Sequence, residues 1–152
     1  MLRISKLTDY GTVILACLAS QTDRLWTAAE VAERTRVALP TVSKLLKKLQ
    51  RSGLVISTRG SHGGYHLACQ PGEISAARIL DALEGPLAIT ECSGQHSNCG
   101  IESNCRVGHV WQRVNGAIRR ALTDITLAQM AGLERAGSTS VPLTKLVRAS
   151  HE

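Results

Sequence analysis

Apolar residues recur at helical spacing in the first stretches of the chain. The segment LTDYGTVILACLAS predicts a helix that opens at Thr8 or Asp9. Its inward positions are Val13, Ile14, Cys17 and Leu18. The next segment, TAAEVAERT, begins with Thr27 and carries an acidic residue three positions later, which is a capping box. A second, shorter helix is therefore predicted there.

A third periodic segment, ALPTVSKLLKKLQRSG, has Pro40 at its start and Gly53 at its end, where these residues favour helix initiation and termination. Its inward positions are Val42, Leu45, Leu46 and Leu49. The other face is basic and begins with small polar residues. Two short helices that meet at a tight turn, the second of them basic, are typical of a helix-turn-helix.

The pattern changes after Gly53 from helical spacing to alternation. Residues 54–58 alternate as a strand, a glycine-rich turn follows, and residues 65–68 resume as a second strand. A hairpin directly after a basic helix is expected of the wing in a winged helix-turn-helix. The predicted fold class is therefore mostly α-helical with a small β-hairpin wing.

The second half of the chain predicts two more helices. ISAARILDALEG indicates a short helix, capped by Ser75 and ended by Gly85 and Pro86. RVGHVWQRVNGAIRRALTDI predicts a long amphipathic helix. Its apolar stripe consists of Val107, Trp111, Val114, Ile118, Leu122 and Ile125. Two copies of the chain can bury such stripes against each other, which predicts a homodimer; packing of the stripe on its own domain is the alternative.

These patterns divide the chain into four parts. Residues 1–85 form the winged helix-turn-helix, and 86–106 form a cysteine-rich loop. Residues 107–136 contain the dimerisation helix, whose seam includes Trp111, and a following short helix. Residues 137–152, rich in Ser and Thr, are expected to be a flexible tail.

The charge points to a polyanionic partner. The net charge is +6, and no acidic residue lies between Glu33 and Glu73, where the basic residues cluster. A solvated face would normally mix both signs. We therefore predict binding to double-stranded DNA, at a pseudo-palindromic operator read by two subunits. The residues predicted to face DNA are Pro40, Thr41, Ser43, Lys44, Lys47, Lys48, Arg59, His62 and Gly64.

Composition excludes several classes of protein. No apolar run approaches the roughly 18 residues of a membrane span, and the N-terminus lacks the features of a signal peptide, so a cytoplasmic protein without a membrane partner is expected. The sequence contains no CxxC pair, no nucleophile elbow and no paired carboxylates, so none of these motifs predicts an enzyme. In a reducing compartment, the five cysteines are expected to be thiols or metal ligands rather than disulfides.

Three cysteines stand in one polar stretch. Cys92, Cys99 and Cys105 are separated by six and then five residues, unlike the CxxC spacing of structural zinc sites. Their neighbours are Ser, Gly, Asn and Gln, which offer no apolar pocket for inert burial. Soft thiolates in this arrangement suit an iron–sulfur cluster, zinc or Cu(I). A thiol redox or nitric-oxide switch remains open as an alternative.

In combination, these motifs resemble Rrf-type iron–sulfur winged-helix repressors, the family of the regulators IscR and NsrR. The similarity rests on MLRISKLTDYG, LPTVSKLLKKL, GLVISTRGSHGGYHLA, ALEGPLAITEC and the three cysteines, and within the family it is nearest to regulators of the SUF iron–sulfur assembly operon. It implies a homodimeric repressor of cluster assembly genes. It also implies a 2Fe-2S or 4Fe-4S cluster on Cys92, Cys99 and Cys105.

The chain departs from the pattern of its better-known relatives in two places. The first cysteine gap is one residue longer, and Gly108 occupies the position of the IscR-type histidine ligand. Asp9 matches the N-terminal aspartate that is a ligand in NsrR-type proteins. We therefore predict Asp9 as the fourth ligand, with His109 as the second candidate; a helix cap is the other role expected of Asp9.

Overall fold

The computed structural model describes residues 3–90 and 106–133. Its helices are α1 (Lys6–Ala19), α2 (Ala28–Thr35), α3 (Leu39–Arg51), α4 (Ala76–Leu83), α5 (Gly108–Thr123) and α6 (Leu127–Met130). A hairpin of β1 (Val55–Thr58) and β2 (Gly64–Leu67) follows α3, and one 3₁₀ turn (Pro71–Glu73) precedes α4. The predicted fold class, mostly helical with a β-hairpin wing, is confirmed.

Helix α1 begins earlier than predicted. Ser5 is its N-cap, because the Ser5 hydroxyl accepts a hydrogen bond from the backbone N–H of Thr8 at 3.2 Å. The predicted start at Thr8 or Asp9 is therefore wrong by two or three residues. Val13, predicted to face inward, is 41% exposed, since the buried face of the helix passes through Leu15 instead.

The helix-turn-helix agrees closely with the prediction. Thr27 and Glu30 form the expected capping box at the start of α2. Arg36 ends α2 in a left-handed conformation at φ +59°, and Gly53 follows α3 at φ +74°. The apolar positions predicted on α3 are all buried: Val42, Leu45, Leu46 and Leu49. Their burial against α1 and α2 fixes the angle at which α3 presents its polar face.

The hairpin is short and antiparallel, with Val55 opposite Leu67 and Thr58 opposite Gly64. Trp26 adds a third partner, because its backbone exchanges hydrogen bonds of 2.8 and 2.9 Å with Tyr65. This bridge attaches the outer strand of the wing to the segment before α2. The wing is therefore anchored on two sides.

The chain returns from α5 to the winged-helix core through α6. The backbone N–H of Ala76 donates to the carbonyl of Ile125 at 2.8 Å, and that of Leu127 donates to the carbonyl of Ile74 at 2.7 Å. Leu127 is completely buried in the same core as Ile14 and Leu46. None of the helices in residues 3–90 and 106–133 is long and apolar enough to cross a membrane.

Candidate nucleic-acid interface and cysteine segment

The outer face of α3 is basic and open to solvent. Among the α3 residues predicted to face DNA, Pro40, Lys44 and Lys47 are exposed. Thr41 and Ser43 are half-buried. Lys44 and Lys47 have no hydrogen-bond or ion-pair partner among the described residues. Since no acidic residue interrupts this region of the sequence, the face offers uncompensated positive charge to phosphate groups.

The tip of the wing is shaped by glycines. Gly60 adopts φ +117°, and the N–H of Gly63 donates to the Gly60 carbonyl at 3.0 Å. A Cβ on Gly63 would lie 2.2 Å from the carbonyl oxygen of Thr58, so only glycine fits there. The exposed side chains of Arg59 and His62 are thereby held at the tip of a tight turn.

Gly64 lies close to the backbone of Trp26, a contact that could not be predicted from the sequence. A Cβ at this position would lie 2.8 Å from the carbonyl oxygen of Trp26, so a side chain would block the bridge between Trp26 and Tyr65. The half-buried position of Gly64 follows from that close backbone contact. Its part in DNA binding remains a prediction.

Lys48 differs from the other lysines of α3. Although its side chain is exposed overall, its ammonium donates a 2.7 Å hydrogen bond to the carbonyl of Leu83, in the last turn of α4. It was predicted with the DNA-facing set on the basis of its sequence neighbours. In the structure, its charged end is directed to another helix of the same chain.

The end of α4 also forms hydrogen bonds with the start of α1. The Glu84 carboxylate accepts hydrogen bonds from the Ser5 backbone N–H at 3.1 Å and from the Thr8 hydroxyl. These contacts lower the pKa of the Glu84 carboxyl, and the positive charge of Lys48 acts in the same direction. Leu83 and Glu84 therefore form a junction, hereafter the α4 junction, at which α1, α3 and α4 meet.

The stretch that leads from α4 to the cysteines is clipped to α5 by one amide. The side-chain oxygen of Asn115 accepts from the N–H of Ile89 at 3.3 Å, and its side-chain nitrogen donates to the carbonyl of Leu87 at 3.1 Å. Asn115 is only 8% exposed, so these bonds are shielded from water. A second clip joins Arg119 of α5 to Asp81 of α4 through two hydrogen bonds of 3.0 and 2.6 Å.

Helix α5 presents three different faces. The face toward its own domain carries the two clips, Asn115 and Arg119. A second face is basic and consists of His109, Arg113 and Arg120. The third is the predicted apolar stripe, of which Val107, Trp111 and Val114 are 58%, 42% and 37% exposed. Toward the other end, Ile118, Leu122 and Ile125 are half-buried. The stripe is thus only partly covered by the part of the chain that the structure describes.

The two candidates for the fourth ligand are both accessible. Asp9 lies in the first turn of α1, but Ser5 provides the cap, and the Asp9 carboxylate has no hydrogen-bond partner among the described residues. The capping role considered for Asp9 is therefore taken by another residue. Asp9 also borders a groove of about 170 Å³ between α1 and α4. His109 is exposed in the first turn of α5.

The three cysteines of the predicted cluster site, Cys92, Cys99 and Cys105, lie outside the described residues. Within residues 3–90 and 106–133, no group of three or more His, Cys, Asp or Glu side chains is close enough to hold a metal ion. The other two cysteines belong to the winged-helix unit, where burial raises the pKa of the Cys17 thiol and Cys69 contacts Arg78.

Comparison with known proteins identifies the family. Residues 4–132 match the Rrf2 family model, described as an iron-dependent transcriptional regulator. The chain belongs to the Rrf2 family. It is 30% identical over 102 residues to the HTH-type transcriptional regulator IscR of Vibrio atlanticus, an overlap of 67% of this chain and 58% of that protein.

Solved structures of Rrf2 relatives share this fold. CymR (YrzC), described as the global cysteine regulator of B. subtilis, has a TM-score of 0.67 and 27% identity, with 89% of this chain and all of that chain covered. IscR of T. potens has a TM-score of 0.66 and 29% identity, with 91% and 93% covered. This Rrf2 chain is therefore a helix-turn-helix transcriptional regulator, and its relatives are regulators rather than enzymes.

The family resemblance is confirmed. Several contacts in this Rrf2 chain could not be predicted from its sequence. The charged residues Asp81, Glu84 and Arg119 carried no motif, and Asn115 looked like one more polar residue on an amphipathic helix. The N-cap at Ser5 is the one contact that the sequence could have predicted, because serine is a common N-cap residue just before a helical pattern.

Proposed function

We propose that this chain is a homodimeric repressor that binds a pseudo-palindromic operator of iron–sulfur cluster assembly genes, and that it senses cluster status through Cys92, Cys99 and Cys105. The observation that carries the proposal is the position of the three cysteines between α4 and α5 of a winged-helix regulator. Both helices that border the cysteine segment are tied to the DNA-binding unit by specific polar contacts.

The DNA-binding part of the proposal is supported by charge and exposure. Lys44 and Lys47 lie exposed on the outer face of α3 with no hydrogen-bond partner among the described residues, and Arg59 lies at the tip of the wing. A recognition helix of this kind enters the major groove, and basic residues beside it contact the phosphate backbone. Thr41 and Ser43, short polar residues at the start of α3, would be the side chains that read base edges.

The cluster part rests on the chemistry of the donor set. Three thiolates favour iron–sulfur clusters, and Asp9 contributes a carboxylate that is not used as a helix cap. When bound, a cluster would supply a redox-sensitive and oxygen-sensitive link between these residues. We propose Asp9 as the fourth ligand and His109 as the second candidate.

The dimer part rests on the exposed end of the α5 stripe. Val107, Trp111 and Val114 leave a row of apolar surface that a second copy of the same helix can cover. The two recognition helices of such a dimer would be separated by a distance that depends on α5. The hydrogen bonds of Asn115 to Leu87 and Ile89 connect the stretch before the cysteines directly to that helix.

The proposal is tested by anaerobic purification, reconstitution with iron and sulfide, and measurement of the visible spectrum and of the iron and sulfide content. DNA binding by the cluster-loaded and cluster-free protein is then compared on an operator selected from random duplexes. We expect charge-transfer absorption that is lost in Cys99→Ser, together with a change in DNA affinity between the two forms. The corresponding change in Ser93→Ala, a control in the same stretch, should equal that of the wild type.

The same experiment separates the alternatives. Stoichiometric zinc without visible absorption would indicate a structural metal site. An affinity that responds to thiol oxidants without bound iron would indicate a redox switch, a possibility that is given weight by the similarity to CymR, for which an oxidised form is known from Staphylococcus aureus. Either result would overturn the proposed cluster.

The fourth ligand is tested by comparing Asp9→Ala and His109→Ala after reconstitution. If Asp9 is the fourth ligand, its removal leaves one iron without a protein donor, so Asp9→Ala should alter the cluster spectrum and shorten the lifetime of the cluster in air. His109→Ala should resemble the wild type. Thermal melting of both cluster-free variants serves as the control, since a change confined to Asp9→Ala stability would make Asp9 a structural residue only.

A further inference from the structure

Lys48 lies beside the basic face of α3 but is bonded within the protein. Its ammonium is 2.7 Å from the carbonyl oxygen of Leu83, whereas Lys44 and Lys47 have no partner among the described residues. Its two other N–H donors remain available, but the bond to Leu83 fixes where the charged end lies, so Lys48 is less free than its neighbours to reach a phosphate. The three lysines of α3 are therefore not equivalent.

The acceptor of this bond is a carbonyl that the helix itself does not satisfy. Leu83 is the last residue of α4, and the last carbonyls of a helix have no intrahelical donor. A positive charge there also interacts favourably with the C-terminal end of the helix dipole. Lys48 thus stabilises the end of α4 through both a hydrogen bond and its charge.

The bond connects the recognition helix to the start of the cysteine segment. Glu84, the next residue, holds the first turn of α1, and Gly85 then turns the chain at φ +94° toward residues 87–89. That stretch is clipped to α5 by Asn115. A displacement of residues 87–89 can therefore reach α3 through the bond from Lys48 to Leu83, in addition to the apolar packing of Leu83 in the core.

We propose that Lys48 is a positioning residue, which couples the state of the cysteine segment to the orientation of α3 and contributes little direct phosphate contact. This inference extends the proposed function, because it names the connection through which cluster status would change DNA affinity. Couplings between sites in proteins commonly amount to about 5- to 150-fold in affinity. One short charged hydrogen bond between two rigid helices is sufficient to carry part of that effect.

The proposal is tested with Lys48→Met, the conservative variant Lys48→Arg, and Lys47→Met as the matched control on the same helix. The first measurement is the salt dependence of operator binding, which counts phosphate contacts. We expect Lys47→Met to reduce the slope of log K against log salt by about one for each bound subunit, and Lys48→Met to leave it unchanged.

The second measurement is the ratio of DNA affinities between the cluster-loaded and cluster-free protein. Lys48→Met should bring this ratio closer to one by roughly threefold or more, a sizeable part of the usual coupling range, while Lys47→Met and Lys48→Arg retain the wild-type ratio. Thermal melting of the free proteins establishes that both methionine variants are folded.

A third measurement keeps this inference separate from the proposed function. Amide hydrogen exchange in residues 83–85 should slow on operator binding in the wild type and in Lys47→Met, but not in Lys48→Met. A wild-type affinity ratio of one would end the cluster-sensing proposal, and this exchange result would still decide the role of Lys48. A salt slope that falls in Lys48→Met as much as in Lys47→Met would overturn the inference.

Discussion

The winged-helix unit and helix α5 are stabilised in different ways. In the first, apolar side chains such as Ile14, Leu46 and Leu49 are completely buried within the chain. In α5, the apolar end of the stripe is exposed, and the helix is attached to the domain by Asn115 and Arg119 together with the half-buried Ile118 and Leu122. The first region is complete by itself, whereas the second is only partly packed in the single chain.

This difference has an energetic consequence. Burial of one leucine side chain contributes about 1.5–3 kcal/mol, and the core contains many of them. A hydrogen bond contributes about 0.5–1.5 kcal/mol net, and a partly exposed ion pair such as Arg119 with Asp81 contributes about 0–1 kcal/mol. Displacing α5 should therefore cost less than opening the core, and α5 is the described helix that we expect to shift most readily.

The largest effect is expected from Leu46→Ala in the core. Loss of a completely buried leucine should reduce the free energy of unfolding by about 2–5 kcal/mol, measured by urea denaturation. Val114→Ala, on the exposed stripe, is the counterpart. Its effect should depend on protein concentration if it acts through the proposed dimer, whereas the loss in Leu46→Ala should not. A concentration-independent loss in both variants would remove the contrast between the two regions.

The next effect is expected from Val114→Glu. A charge placed in the proposed dimer seam would be desolvated without a partner and should weaken association by about 2–4 kcal/mol, or roughly 30- to 1000-fold in the dissociation constant. Sedimentation velocity over a range of concentrations measures it. Arg113→Glu, which puts a negative charge on the basic face of the same helix, is the control and should remain dimeric. A dimeric Val114→Glu would show that this stripe is not the seam.

A smaller effect is expected from Asn115→Ala. The carbonyl of Leu87 and the N–H of Ile89 would lose their partner, at a cost of about 1–3 kcal/mol in unfolding free energy. Asn115→Asp keeps an acceptor for Ile89 but sets a buried carboxylate against the Leu87 carbonyl oxygen, so at neutral pH it should be at least as destabilising as Asn115→Ala. Exchange of the Ile89 amide should increase in Asn115→Ala while amides of α3 retain their protection. Equal loosening of both regions would mean that the clip belongs to the core.

The contrast between the regions also explains how far the sequence could predict them. The helix-turn-helix and wing follow from local signals, such as the Thr27 capping box and Gly53 after α3, and these signals agree with the periodicity of the core residues. Such positions are determined within one helix or one turn. The structure therefore confirmed them to within a few residues.

The contacts between separate helices depend on residues far apart in the chain and had no local signal. Lys48 and Leu83 are 35 positions apart, and Asn115 and Leu87 are 28 apart. Lys48 was grouped with its neighbours because sequence shows which side of a helix is polar but not which polar side chain meets another helix. Val13 was misplaced for a similar reason, since its exposure depends on how α1 packs against the rest of the core.

The smallest expected effect concerns the α4 junction, at the end of the winged-helix unit from which the chain leads to the stretch held by Asn115, and it depends on pH. Hydrogen bonds from Ser5 and Thr8 lower the pKa of Glu84 below its ordinary value of 4.5. A carboxyl with a lowered pKa in the folded protein contributes stability that is present above its ordinary pKa and is lost as the pH falls through the lowered value. Stability in Glu84→Gln should lack this pH-dependent part.

The matched control is Glu30→Gln, because the capping contacts of Thr27 lower the pKa of Glu30 in the same direction but inside the winged-helix unit. In both variants the deficit relative to the wild type should be constant above about pH 5 and should shrink as the pH falls further. The location of the change separates them. Glu30→Gln should speed amide exchange only in the first turn of α2, whereas Glu84→Gln should speed it at the start of α1 and in residues 83–89. A deficit in Glu84→Gln that grows with acidity would contradict the assigned contacts, since an ionised Glu84 would then oppose rather than hold the junction.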